Sequence, residues 1–250
     1  MTGNVVQRRE GAVLVLTLDR ADKKNALTGD MYRALSAGLA DANADPAIGA
    51  TLILGQPGIF CAGNDIKDFV GFAMSGSLGE PILAFLRALV ANAKPLVAGI
   101  DGAAIGIGTT LVLHCDYAVA SERALFQTPF VDLALVPEAG SSLILPQLMG
   151  QRLAFEMLVM GEKFDADRAA ATGLVNRVVA AETLEAAAID AARRIAAKPR
   201  EATMIARALM RGDPTALLAR IDAEASAFAE RLCSDEARRA FEAFLSKGKG

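Results

Sequence analysis

Two short turns offer the best chemistry in the chain. The first reads Phe60-Cys61-Ala62-Gly63-Asn64-Asp65, the second Asp101-Gly102-Ala103-Ala104-Ile105-Gly106-Ile107-Gly108. Each follows a short apolar run. Small residues there let a ligand approach the main chain, and backbone N–H groups can then converge on one oxygen. One donor from each turn would form an oxyanion hole, which stabilises the enolate formed when a proton leaves the carbon beside a thioester carbonyl. Read singly, each turn fits an ordinary glycine turn at least as well. The remaining group of interest is a carboxylate, Glu138, in Leu135-Val136-Pro137-Glu138-Ala139-Gly140-Ser141-Ser142. Behind a proline and ahead of a helix, it fits a first-turn carboxylate favoured by the helix dipole. Leu135, Val136 and Phe130 could wall it and favour its neutral form, as a general base needs, but on these residues alone the first-turn reading stands ahead.

The elements that must position these groups are short. Val5–Arg9 and Val13–Leu18 read as strands joined at Glu10-Gly11. Thr28 is placed to cap a helix over 29–44, with Met31, Leu35 and Leu39 on one face. Ala50–Leu54 leads into the first turn. Pro81–Asn92 is a second helix, and Leu96–Ile100 leads into the second turn. Gly108–His114 reads as a helix, Tyr117–Ala120 and Ala124–Phe126 as strands. A strand–helix unit therefore recurs, which implies parallel strands with helices outside, although paired short strands spoil a doubly wound pattern. From Leu143 the chain is nearly all helical, ending in one run over Thr215–Ser246 whose Leu217, Ile221, Phe228, Leu232, Phe241 and Leu245 recur at helical spacing. That stripe fits packing on the chain's own domain or on a neighbouring subunit. The expected division is a core over 1–195 and a helical region over 196–250.

Composition narrows the function classes. The chain has 250 residues, 53% of them hydrophobic, and a net charge of −3, which supports a sizeable core and no nucleic-acid footprint. The apolar runs are too short or too glycine-rich to span a bilayer, and the N-terminus lacks the pattern of a signal peptide. His114 is the single histidine, so a multi-histidine metal site is ruled out, and there is no G-x-S-x-G elbow. In Leu111-Val112-Leu113-His114-Cys115 it reads as a buried, satisfied side chain. Cys61, Cys115 and Cys233 lack metal-ligand spacing and fit free thiols in a reducing cytoplasm. The second turn is not a dinucleotide fingerprint, because Leu111 stands where a third glycine is required.

Taken together, certain stretches resemble the crotonase (enoyl-CoA hydratase/isomerase) superfamily. They are Leu18-Asp19-Arg20 through Asn25-Ala26-Leu27, Phe60 through Ile66, Lys94-Pro95 to Gly108, Cys115-Asp116 with Ala120-Ser121, and Thr172-Gly173-Leu174-Val175. The resemblance implies an α/β fold, a spiral of ββα units with a C-terminal helical trimerisation region. It implies a homotrimer or dimer of trimers in the cytoplasm, acting on an acyl-CoA with no cofactor beyond that thioester. By position it makes the N–H groups of Asn64 and Ile107 the oxyanion hole. It places Lys23, Lys24, Ala26 and Leu27 near the adenosine and pantetheine, Ala62, Asp65 and Ile66 on the adenine side, and Lys67 against a phosphate; taken one at a time, each lysine reads better as solvated surface. Phe69–Gly79 and Phe130 would shape the acyl tunnel.

The same resemblance addresses the reaction. The family's hydratases hold water between two glutamates, and those positions here carry Thr110 and Phe130, so hydration is not expected. Thr128-Pro129-Phe130 through Pro137-Glu138 and Ser141-Ser142, with Gly63-Asn64-Asp65, resembles monofunctional Δ3,Δ2-enoyl-CoA isomerases, which implies that Glu138 carries a proton between C2 and C4. Asp132 is the alternative base, and Asp116 and Glu122 read as structural. Another crotonase reaction, such as hydration, ring opening or hydrolysis, and a non-catalytic acyl-CoA binder remain the competing expectations.

Overall fold

The computed structural model describes residues 3–65 and 79–247. The expected contributions of Ile66, Lys67 and 69–78 lie outside the described residues.

Strands β3 (Ala50–Leu54) and β5 (Leu96–Ile100) are buried at every position, as continuous apolar runs require when both faces of a sheet are covered. With β1 (Val5–Glu10), β2 (Val13–Leu18), β7 (Tyr117–Ser121) and β10 (Arg177–Val179) they form one sheet of order β1-β2-β3-β5-β7-β10. The β1–β2 pair is an antiparallel hairpin, and the remaining pairings are parallel. A smaller sheet has the order β4 (Ile59–Cys61), β6 (Ala103–Ile105), β8 (Leu125–Gln127), β9 (Phe164–Asp165).

The chain path explains why the strands come in pairs. Strands β3, β5 and β7 lie in the large sheet, and each is followed at once by a strand of the small one, β4, β6 or β8. Each pair sits one place further along both sheets than the last. Helices α1 (Gly29–Ala44), α2 (Glu80–Ala91), α3 (Ile107–Thr110) and α4 (Ser141–Met149) intervene. The result is a spiral of ββα turns.

The corners of successive turns are tied by one carboxylate. Asp101 accepts hydrogen bonds from the Gly58 amide at 2.7 Å, from Ser121 Oγ at 2.7 Å, and from Arg123 Nε and Nη2 at 2.7 and 2.6 Å. Stacking is tight there. Gly102 has φ of +68°, and a Cβ on it would stand 2.0 Å from the Gly58 carbonyl oxygen, so only glycine serves.

Side chains alternate across the large sheet. Leu52 and Leu54 pack with Leu184, Ala188 and Ala192 of α7 (Leu184–Ala196), with α5 (Gln151–Leu158) and α6 (Ala166–Ala171) preceding it in the chain; Ile53 joins the main core with Leu35, Leu39 and Leu89 on the other face. Beyond α8 (Arg200–Arg211), the single expected run over Thr215–Ser246 is two helices, α9 (Thr215–Leu232) and α10 (Asp235–Lys247). The break has a local cause. Ser234 Oγ accepts from the Ala237 amide at 3.1 Å, and Asp235 and Glu236 follow it, so a serine cap and two first-turn carboxylates start a new helix. Ile221, Phe228 and Leu232 of the apolar stripe are buried within this chain. Helix α9 packs on α2 and α4, and α10 packs on the 131–133 turn. Among the described residues no helix is long and apolar enough to cross a membrane.

Candidate active site

The parallel pairing of β4 with β6 sets Cys61 beside Ala104. Asn64 and Ile107 each lie three residues beyond that pair, at the same ends of neighbouring strands. The surrounding amides are engaged. Ala62 N–H donates to the Lys24 carbonyl at 3.0 Å, Gly63 N–H to Cys61 Sγ at 3.4 Å, Asp65 N–H to the Leu27 carbonyl at 2.9 Å, and Gly106 N–H to the Gln127 carbonyl at 2.8 Å. The amides of Asn64 and Ile107 have no acceptor among the described residues. Ile107 opens α3, so its N–H has no carbonyl one helical turn earlier to take it. Close contact between the turns depends on glycine: a Cβ on Gly63 would stand 3.2 Å from the Ile105 carbonyl oxygen, and one on Gly108 would stand 2.6 Å from that of Cys61.

The loop that precedes α1 runs along the first turn. Leu27 N–H donates to the Gly63 carbonyl at 2.8 Å, making a parallel bridge with Asn64. Arg20 Nη1 reaches the Ala26 carbonyl at 2.9 Å and Asp65 Oδ2 at 2.7 Å. Asn25, fully buried, accepts from the Arg20 amide and donates to the carbonyls of Ile59 and Phe60. Lys24, Ala26, Leu27, Ala62 and Asp65 are thus brought together. Lys23 and Lys24 are exposed, whereas the Leu27 side chain is in the core and offers the turn only its main chain. Asp65 is engaged by Arg20.

Glu138 is 3% exposed and accepts a 2.5 Å hydrogen bond from Thr110 Oγ1, on the last residue of α3. The helix that begins with the Ile107 amide therefore holds the carboxyl at its other end. Burial pushes Glu138 up to about 8; the Thr110 bond pulls it down and the Glu224 carboxylate pushes it up. The charge of Glu138 is also felt at Tyr32 and Cys61, both fully buried. Burial first, then Glu138, raises the Tyr32 hydroxyl well above its ordinary value and lifts the Cys61 thiol to about 12. Tyr32 donates a short hydrogen bond to Asn64 Oδ1. Tyr32, Asn64, Cys61, Thr110 and Glu138 accordingly share one region. Phe130 is buried and meets Phe228 edge-on at 6.5 Å. Asp132 is exposed, against Gly161.

His114 is buried and neutral. Burial lowers it to about 4, and its Nε2 pairs with the Ala139 carbonyl at 2.8 Å. Asp116 ties Arg207 and Arg211 to the Leu96 amide. Among the described residues no group of three or more His, Cys, Asp or Glu is placed to hold a metal ion.

Three contributors escaped the sequence reading. Thr110 figured there only as a missing glutamate, and Tyr32 only as part of a helix. Glu224 had a visible signal: with Ile221 and Phe228 it falls at i, i+3 and i+7, on the buried stripe of a helix, where an acid demands a partner.

Comparison with known proteins adds to this geometry. The family model described as "Enoyl-CoA hydratase/isomerase" matches residues 8–250. A Rhizobium meliloti (strain 1021) protein named "Probable enoyl-CoA hydratase" is 34% identical over 243 residues, covering 96% of this chain and 94% of that one. "Enoyl-CoA delta isomerase 2" of Rattus norvegicus is 33% identical over 244 residues, covering 95% of this chain and 62% of its own. The solved structure of Pseudomonas aeruginosa OdaA superposes with a TM-score of 0.94 at 41% identity, covering 98% of this chain and 99% of that one.

Proposed function

Since the chain belongs to the enoyl-CoA hydratase/isomerase family, we propose that it is a Δ3,Δ2-enoyl-CoA isomerase. In this reading the amides of Asn64 and Ile107 donate to the thioester oxygen, and Glu138 takes a proton from C2 and returns it at C4. The observation that carries the reading is the buried Glu138 carboxyl, held to the same short helix as one of the two amides that have no acceptor among the described residues. An acid with a pKa near 8 is matched to work near neutral pH, since neither its gain nor its loss of a proton is strongly uphill. Thr110 occupies one carboxyl oxygen and leaves the other for the proton. Because negative charge develops on the thioester oxygen, the fixed amide dipoles stabilise the transition state more than the substrate.

The relatives' names divide between hydratase and delta isomerase. Hydration needs a water held and activated on the enoyl group. In support of isomerisation, Phe130 and Thr110 stand where the resemblance expects the hydratase glutamates, and Asp132 faces away into solvent. The transfer so read is a proton shift within one thioester and calls on no separate cofactor.

The test is double-bond migration in a 3-enoyl-CoA by wild type and Glu138→Gln, with hydration of a 2-enoyl-CoA measured in parallel. The variant is expected to lose about 10²–10⁴-fold in kcat while keeping its fold, the usual worth of a positioned acid–base group. Undiminished turnover in Glu138→Gln, or hydration by the wild type as fast as isomerisation, overturns the proposal.

A further inference from the structure

The turn that carries Glu138 is held in an unfavourable conformation by a residue far along the chain. Ala139 and Gly140 follow Glu138 with φ of +60° and +71°. A left-handed alanine is unfavourable, because its Cβ crowds the following carbonyl, and persists only where surrounding contacts over-determine it. Those contacts come from two sides. His114 Nε2 pairs with the Ala139 carbonyl at 2.8 Å. From α9, the Glu224 carboxylate accepts the Gly140 amide at 2.6 Å, the Ser142 amide at 3.0 Å and Ser142 Oγ at 2.5 Å. Glu224 is 7% exposed. Glycine suits the φ of +71° at 140, and a Cβ there would stand 2.3 Å from Leu217 Cδ1, on the same helix as Glu224, so that side chain would have to shift.

We propose that Glu224 is a positioning residue for the Glu138 carboxyl, so that α9 forms part of the active site without touching the reacting atoms. The proposal rests on the reading of Glu138 as the base. Three hydrogen bonds to a carboxylate fix the first turn of α4 and the two residues that join it to Glu138. Glu224 takes these amides at the start of α4, and Glu138 has the Thr110 hydroxyl as its donor. Among the described residues, the charged and titratable groups around Glu138 are then Glu224 from α9, Tyr32 from α1, and Cys61 from β4. His114, neutral, sits behind Ala139, and Arg220 donates to Ser142 Oγ from the solvent side at 3.1 Å.

The experiment uses Glu224→Gln in the full chain, with kcat and KM for a 3-enoyl-CoA measured across pH 5–10 beside wild type and Glu138→Gln. Glutamine keeps the shape but removes the charge and one acceptor. The expected result is a kcat lower by about 10–100-fold, as a small misplacement of a catalytic group produces, with KM changed much less. The rising limb of the profile should also move to lower pH, since a repelling charge has gone. A merely structural residue would leave that limb in place. An unmoved limb with kcat within about 2-fold of wild type overturns the proposal. If Glu224→Gln does not fold, Glu224→Asp keeps the charge at shorter reach: kcat reduced with KM unchanged supports the proposal, and wild-type kcat, or kcat and KM altered together, overturns it. Should Glu138→Gln keep full activity, the base reading fails first; if it is inactive while Glu224→Gln is unaffected, only the role of α9 falls.

Discussion

Asp101 and Glu138 are both buried carboxylates, 6% and 3% exposed, yet one is held at about 2 and the other at about 8. Burial raises both. At the Asp101 corner the rise is overcome by hydrogen bonds from Arg123, Ser121 and the Gly58 amide and by the Arg123 charge. At Glu138 a single hydroxyl opposes burial, and the Glu224 carboxylate adds to the rise. The number and charge of donors, together with the deeper burial of Glu138, separate the two carboxyls. The spiral supplies donors freely where its corners stack, and gives Glu138 one hydroxyl.

The largest test of this contrast is the pH dependence of stability in Asp101→Asn and Glu138→Gln. Glu138 has a folded pKa raised above its unfolded value near 4.5. Its neutral form suits the folded state, so its stabilising effect is complete below that unfolded value and is lost as pH rises through about 8. Glu138→Gln should therefore melt several degrees above wild type at pH 9 and lose the advantage toward pH 4.5. Asp101 runs the other way. Its folded pKa is depressed below 3.8, so its contribution is present above that value and lost as pH falls through about 2. Asp101→Asn should melt roughly 5–10 °C below wild type at pH 7, with the gap narrowing in acid. Differential scanning calorimetry between pH 2 and 9 reads both, and parallel curves for the two variants would remove the contrast.

An intermediate effect is expected of Thr110→Val, which gives Glu138 the one thing Asp101 never lacks in reverse: no donor at all. Loss of the hydroxyl bond lets burial act unopposed, so the rising limb of kcat/KM should move to higher pH. At pH 7 the rate should drop about 10-fold, the worth of one charge-assisted hydrogen bond. A limb that stays in place would mean that Thr110 does not govern the ionisation of Glu138.

How much of this was legible in the sequence follows from how far each interaction reaches along the chain. The apolar runs Ala50–Leu54 and Leu96–Ile100, and the Thr28 cap that accepts from the Met31 amide, are local, and the strands and helix they imply are present. The break at Ser234 is local too, but a continuing apolar stripe masked it, because helical spacing persists across a one-residue cap. The two turns could be found from glycine alone; their pairing needed the Cys61–Ala104 register, which no short motif encodes. The Asp101 corner draws on residues 43, 20 and 22 positions away. The bond from Gly140 to Glu224 spans 84 positions, and nothing near Glu138 announces it.

The smallest expected effect, and the sharpest separation of orientation from ionisation, belongs to Tyr32→Phe. Tyr32 packs on Phe85 with ring centroids 5.5 Å apart, which fixes the ring and aims its hydroxyl at Asn64 Oδ1. Phenylalanine keeps that packing and removes only the donor. The hydroxyl is neutral throughout the working range because burial and Glu138 hold its pKa well above 10, so its loss changes no charge near Glu138. The Asn64 side chain becomes free to turn, and the turn bearing its amide loosens. Kinetically this should appear as a 2–5-fold loss in kcat/KM, about the net worth of one neutral hydrogen bond, with the pH limb where wild type has it. A shift of the limb in Tyr32→Phe would tie the two effects together and break the distinction, since the same deletion of a hydroxyl would then act on the base and not only on the oxyanion donor.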